Sequence, residues 1–206
     1  LKEQGRKVAG IFCTFTPVEI LEAAGFTSVS LCGMSGETIP AAEAHLPKNL
    51  CPLIKSSYGF AVSDKCPYTY FSDLIVGETT CDGKKKMYEM LGEFKNVHTM
   101  ELPNRQSEMG RKLWREEVVK LKEKLEEQFG VEITEEKLRE QVKLMNRNRL
   151  ALRGFYELQK MDPPPMAGLD LYSVLYGSSF KFDREQAIQD VLALTERIKK
   201  EYAEGN

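Results

Sequence analysis

The order of apolar and polar positions changes character about halfway along the chain. Up to roughly residue 105, short apolar runs alternate with stretches of helical period. Val8-Ala9-Gly10-Ile11-Phe12 reads as a buried strand. Pro17 to Ala24 reads as a helix, opened by a proline whose missing N–H is not needed in a first turn and closed by Gly25. Thr27 to Leu31 predicts a second strand, Ala41 to Leu46 a short helix, and Pro52 to Val62 a longer helix entered through Cys51. Ser72 to Gly77 predicts a third strand, Lys84 to Phe94 a third long helix, and Asn96 to Leu102 a fourth strand ending at Pro103. Strands separated by helices join as crossovers and not as hairpins. The pattern therefore predicts an α/β fold with a parallel sheet covered by helices on both faces.

Beyond Pro103 the period becomes helical throughout. Trp114, Val118, Leu121, Leu125 and Phe129 recur at three and four residues on a charged background, and Gly130 ends that run. Thr134 can cap a second helix with a stripe of Leu138, Val142, Met145, Leu152 and Tyr156. That helix has to stop before Pro163-Pro164-Pro165. Asp183 can cap a last helix that turns Ile188, Val191, Leu192, Thr195, Ile198 and Tyr202 inward. The expected organisation is an α/β domain over 1–105 and a helical segment over 106–206. The mixed-sign charges of these helices read as solvated faces.

Composition narrows the class. With 206 residues, 42% hydrophobic content and a net charge of −2, the chain can bury a substantial core and shows no basic excess for nucleic acid. No apolar run approaches the length of a membrane span, and no signal-peptide pattern opens the chain, so a cytoplasmic, reducing setting is the expectation. The chain begins at Leu1 and closes on a charged helix with Glu204-Gly205-Asn206, ends that read as those of an amino-terminal fragment.

Five cysteines form an odd set, which argues against a closed disulfide framework. Three of them stand at the edges of predicted elements: Cys51 before Pro52, Cys66 before Pro67, and Cys81 between the third strand and the helix after it. The separations Cys51 to Cys66 and Cys66 to Cys81 are equal, but no CxxC pair occurs, so neither a zinc ribbon nor a ferredoxin loop is indicated. Such thiols read as metal or cluster ligands that converge through the fold, and a thiolate at Cys81 would gain from the helix start that follows it. Burial as inert core is the plain alternative for each. Cys13 and Cys32, at or near strand ends, read as structural.

Other motifs add less. Gly77 to Lys85 misses the phosphate-loop pattern by one residue, and Lys85 stands where a Ser or Thr would hold magnesium. Gly33-Met34-Ser35-Gly36 reads as a strand-to-helix turn that a ligand could approach. His45 and His98 lack partners at metal spacing and read as structural or surface residues. Lys84-Lys85-Lys86, with Lys55 and Lys65, could face the phosphates of a coenzyme, although solvation explains them equally well.

Four ordered segments together carry a resemblance: Pro17-Val18-Glu19-Ile20-Leu21-Glu22-Ala23-Ala24-Gly25, Asn49-Leu50-Cys51-Pro52-Leu53-Ile54-Lys55-Ser56-Ser57-Tyr58-Gly59, Asp64-Lys65-Cys66-Pro67-Tyr68 and Gly77 through Lys85. As a set they resemble the 2-hydroxyacyl-CoA dehydratase and benzoyl-CoA reductase family of iron–sulfur proteins (D-component). The Lys-Ser-Ser-Tyr-Gly stretch and Cys66 look most like its double-cubane cluster branch. The resemblance covers about the first 105 residues.

It implies a Rossmann- or flavodoxin-like α/β domain, a helical segment, and a second α/β domain that is absent here, with an iron–sulfur cluster in the cleft between the two. Cys51 and Cys81 match ligand positions shared across the family, and Cys66 a position of the double-cubane branch. The cluster would be 4Fe–4S or the double-cubane 8Fe–9S form. The remaining ligands would come from a second α/β half or subunit, and a homodimer is compatible with that. The resemblance also implies an ATP-hydrolysing iron–sulfur activator protein and anaerobic, low-potential chemistry. The expected function is thus the iron–sulfur component, or its amino-terminal part, of an ATP-activated reductase. A 2-hydroxyacyl-CoA dehydratase subunit with a single cubane is one alternative, and a non-catalytic interaction or electron-carrier module is another. The Cys66 signature leans toward a small-molecule substrate over an acyl-CoA.

Overall fold

In the computed structural model, which describes residues 2–205, β1 (Lys7–Phe12), β2 (Phe26–Ser30), β3 (Leu74–Glu78) and β4 (Val97–Met100) form one sheet in the order β2-β1-β3-β4. All three pairings are parallel. Ala9 lies opposite both Ser28 and Leu74, and Gly77 opposite both Phe12 and Thr99. The expected α/β fold with a parallel sheet is the one observed. β3 is buried along its whole length, which is why it reads as a continuous apolar run, whereas edge strand β4 fully buries only Met100.

The chain steps outward from β1 to β2 through α1 (Val18–Ala23), then crosses back past β1 to lay down β3. Right-handed crossovers put α1 on one face of the sheet and the later connections on the other. Those connections carry α2 (Ile39–Ala42), α3 (Pro52–Val62), α4 (Pro67–Phe71) and α5 (Asp82–Leu91). α4 is a helix that the apolar pattern does not announce, because Tyr68, Thr69, Tyr70 and Phe71 have strand-like side chains. Pro67 at its first position and the Tyr70 amide, which donates to the Cys66 carbonyl at 2.9 Å, set the turn instead.

The Lys-Ser-Ser-Tyr-Gly stretch is buried inside α3 and works as a clasp. Lys55 donates to Glu43 at 2.7 Å and to the Lys48 carbonyl at 2.6 Å. The Ser56 hydroxyl donates to the Ser35 carbonyl at 2.6 Å, the Ser57 hydroxyl accepts from the Gly33 amide at 2.9 Å, and Thr38 donates to the Ser56 carbonyl at 2.9 Å. A Cβ at Gly59 would lie 2.1 Å from the Thr38 carbonyl oxygen, so only glycine lets the two backbones come this close. Ser56, Ser57 and Gly59 thereby fix the 33–38 segment against α3, and Lys55 ties the same helix to Glu43 and Lys48.

After β4 comes α6 (Glu108–Phe129), capped by Ser107, whose hydroxyl accepts from the Gly110 amide at 3.1 Å. Leu121 and Leu125 are fully buried, and Phe129 meets Phe26 edge-on at 4.9 Å. Glu117 is buried in the same face and accepts from the Glu101 amide at 3.0 Å and from Lys120 at 2.7 Å. Burial pushes its carboxyl up, and these two donors outweigh burial and hold it below the ordinary range.

The chain forms two compact units, one running through Thr134 with the sheet and α6, the other starting at Glu135. The second holds α7 (Glu135–Tyr156), α8 (Gly168–Ser178) and α9 (Arg184–Ala203), packed through Ala151, Phe155, Leu158, Ile188 and Val191. The inward face of α7 is displaced from the predicted stripe: Met145, Ala151 and Phe155 are buried, while Val142 and Tyr156 are exposed. Small Ala151 lets a partner helix approach closely, which a stripe of large apolar residues does not reveal. Among the described residues no helix is long and apolar enough to cross a membrane.

Candidate functional site

Strand order reverses between β1 and β3, and in an open parallel sheet the crevice beyond the carboxyl ends of such a pair is where ligands bind. The loops after these two strands meet there. The Cys13 sulfur lies 3.5 Å from the Thr80 hydroxyl, and the Thr16 hydroxyl donates to Glu78 at 2.5 Å. Cys13 has φ 62°, in the left-handed region that a non-glycine residue occupies at a cost of about 1–3 kcal/mol. The interlocked loops hold it there. Cys13 is thus part of the crevice and not of the packed core.

Three polar side chains are buried beneath the crevice. Glu78 ends β3, while Lys84 and Tyr88 project from the first turns of α5, and none is more than 3% exposed. Among the described residues, Glu78 Oε2, Lys84 Nζ and the Tyr88 hydroxyl have no hydrogen-bond partner. The Lys84 ammonium rests over the Phe12 ring, which in turn packs 5.7 Å from the Tyr88 ring. Burial raises the Glu78 carboxyl, with Thr16 and Lys84 opposing it. Burial also raises the Tyr88 phenol, as does the negative charge available at Cys13, Glu78, Cys32 and Cys81.

From the sequence, Lys84 stands out only as one of three surface cations, and Thr16, Glu78 and Tyr88 do not stand out at all. The one available signal was a carboxylate directly continuing the apolar run Leu74-Ile75-Val76-Gly77.

The three predicted ligand cysteines each occupy the position before a helix: Cys51 before α3, Cys66 before α4 and Cys81 before α5. None of the three side chains caps its own helix, and Cys51 and Cys81 are exposed. The starts of α3 and α5 press together. A Cβ on Gly83 would lie 2.6 Å from Ile54 Cδ1 and 3.0 Å from Leu50 Cδ1, so glycine at the second position of α5 brings the two helix starts side by side. Cys66 follows the opposite end of α3, whose eleven residues span about 16 Å. The Lys65 amide donates to the Phe60 carbonyl at 3.2 Å and keeps Cys66 at that end. Among the described residues no three His, Cys, Asp or Glu side chains group closely enough to hold a metal ion by themselves. Two exposed thiols at neighbouring helix starts are donors of the type that iron–sulfur clusters use, and further ligands would have to approach from elsewhere.

Of the lysines read as possible phosphate partners, Lys84 has no hydrogen-bond partner among the described residues and the other four are committed locally. Lys55 pairs with Glu43, Lys65 with Glu37, Lys85 with Asp82 at 3.3 Å and Lys86 with Glu89 at 3.0 Å. The hydrogen bond from Lys55 holds the Glu43 carboxyl below its usual range. His98 carries a buried, unpartnered Nε2, and burial together with Lys124 lowers its pKa to about 4, as befits a neutral structural residue.

Residues 13–206 match the family described as 2-hydroxyglutaryl-CoA dehydratase, D-component. The chain belongs to this family. Over all 206 of its residues it is 54% identical to a protein of Escherichia coli (strain K12) named "Putative dehydratase subunit YjiM", covering 54% of that protein. It is 24% identical over 203 residues to one of the benzoyl-CoA reductase subunits of Thauera aromatica, covering 95% of this chain and 52% of the relative. With lactoyl-CoA dehydratase subunit beta of Anaerotignum propionicum it shares 25% identity over 181 residues, covering 86% of this chain and 47% of the relative. The chain therefore spans about half the length of the relatives it matches. Membership agrees with the resemblance carried by the four cysteine and glycine segments.

Proposed function

We propose that the chain is the amino-terminal part of an iron–sulfur component in an ATP-activated, low-potential reductase or dehydratase, with Cys51 and Cys81 as cluster ligands and Cys66, at the far end of α3, as a third in the double-cubane form. The observation that carries this reading is the pairing of exposed Cys51 and Cys81 at two helix starts that Gly83 holds in contact. A bound cluster would supply single-electron transfer at low potential. The chain's own part is electrostatic and steric. The amino-terminal ends of α3 and α5 stabilise thiolate charge, and the interlocked 13–16 and 79–81 loops wall the crevice. Lys84 adds a positive charge beneath it. The remaining ligands, the activator and the substrate lie outside these residues, and relatives named as subunits support an assembly with a partner.

A second reading, a dehydratase subunit with one cubane acting on an acyl-CoA, is favoured by relatives named for lactoyl-CoA and (R)-phenyllactyl-CoA dehydration. One experiment separates the readings. The full-length protein, prepared anaerobically and reconstituted with iron and sulfide, is assayed for iron, for its paramagnetic spectrum and for turnover with activator, ATP and a reductant. Loss of cluster in Cys51→Ala and Cys81→Ala but not in Cys13→Ala supports the ligand assignment. Loss of about half the iron in Cys66→Ala favours the double cubane, and no loss favours the single one. Full iron content in Cys51→Ala or Cys81→Ala overturns the assignment. Conversion of a 2-hydroxyacyl-CoA to its enoyl-CoA, without reduction of small unsaturated molecules, favours the dehydratase.

A further inference from the structure

A cavity of about 480 Å³ opens beyond the carboxyl end of β4, between the loop after β1 and the start of α6. Its walls are apolar: Phe15, Leu102, Pro103 and the ring of Trp114. Its polar lining includes two guanidinium groups, Arg105 and Arg111. Among the described residues neither side chain takes part in an ion pair or a hydrogen bond, while other cations near the sheet are engaged with carboxylates. Volumes of this size suit small organic ligands. An aromatic wall offers a stacking surface, and guanidinium is the side chain best shaped to take two oxygens of one anion. Phe15 also stands next to Thr16, which is bonded to Glu78, so an occupant would lie beside the crevice.

We propose that this cavity binds a small amphipathic anion: an apolar, planar body held between Phe15 and Trp114, carrying a carboxylate or phosphate that Arg105 and Arg111 receive. A purely apolar ligand would leave both guanidiniums unpaired, and a bare inorganic anion would leave the aromatic walls exposed. Neither uses the whole site. The proposal does not depend on a cluster being held at Cys51 and Cys81.

Trp114 is the chain's single tryptophan, so its fluorescence reports on this cavity directly. The test is a fluorescence titration with phenylacetate, phenyl phosphate, the neutral 2-phenylethanol and inorganic phosphate, with Trp114→Phe marking the Trp114 signal. Saturable responses to one or both aromatic anions are expected, weakened about tenfold in Arg105→Gln and in Arg111→Gln, as loss of a charge-assisted hydrogen bond requires. A preference for phenylacetate assigns a carboxylate site, and a preference for phenyl phosphate a phosphate site. Because both arginines are exposed, the variants should retain the parent's circular dichroism and melting temperature. An equal response to 2-phenylethanol or to inorganic phosphate, unchanged affinity in both arginine variants, or no saturable response would overturn the proposal.

Discussion

The ammonium of Lys84 lies 4.4 Å from the centre of the Phe12 ring and has no hydrogen-bond partner among the described residues. A buried cation that meets an aromatic face and forms no ion pair or hydrogen bond gives up more hydration than the ring returns. Replacement by methionine keeps the stem and removes the charge. Lys84→Met should be as stable as the parent or more stable by about 1–2 kcal/mol in urea unfolding, while activity of the assembled protein falls. A clear loss of stability would mean that the ammonium serves the fold and not the site.

Glu78 gives a prediction with a definite pH sign. Burial raises its carboxyl in the folded state above the ordinary 4.5. A raised acid contributes stability that is fully present below the unfolded value and lost as pH rises through the folded one. Glu78→Gln keeps an oxygen for the Thr16 hydroxyl and cannot ionise. It should exceed the parent in stability at neutral pH and converge with it in mild acid, as read by thermal melts across pH.

His98 titrates in the opposite direction. Its folded value near 4 lies below the unfolded 6.5, so the unfolded chain takes up the proton first. Stability present above pH 6.5 is lost as pH falls toward 4, on the order of 2–3 kcal/mol in all. His98→Asn should flatten the stability profile within that window and leave the rest unchanged. An unaltered slope would show that another group governs it.

Gly83 couples the two cysteine-bearing helix starts. In Gly83→Ala the new methyl group meets Ile54 Cδ1 at 2.6 Å, an overpacking that should cost about 1–2 kcal/mol and move Cys81 away from Cys51. Ile54→Val deletes that same Cδ1 atom, so the double variant should regain both melting temperature and iron content. If the single variant loads iron normally despite its lower stability, the spacing of the two helix starts is not what holds the cluster.

The strands, the long helices and the helical second half were legible because burial on both faces writes continuous apolar runs into a parallel strand, and one-sided burial writes a period into a helix. α4 and α8 were not legible. The first is a single turn rich in β-formers. The second, Gly168–Ser178, is apolar around much of its circumference and leaves Leu169 and Tyr172 exposed, so it carries no clean stripe.

By itself the sequence determined which residues precede helices: Cys51 and Cys66 each stand before a proline, and Cys81 follows a strand, because proline and strand ends act locally. Tertiary structure alone decided which of those helix starts meet. The length of α3 sets Cys66 apart from Cys51, and the missing side chain at Gly83 lets the helix starts that follow Cys51 and Cys81 pack together. Only the crossover between β1 and β3 brings Thr16 to Glu78 and gathers Cys13, Lys84 and Tyr88 under one crevice. Residues so far apart in the chain leave no periodic trace, because period records only which side of an element is buried and not what it is buried against.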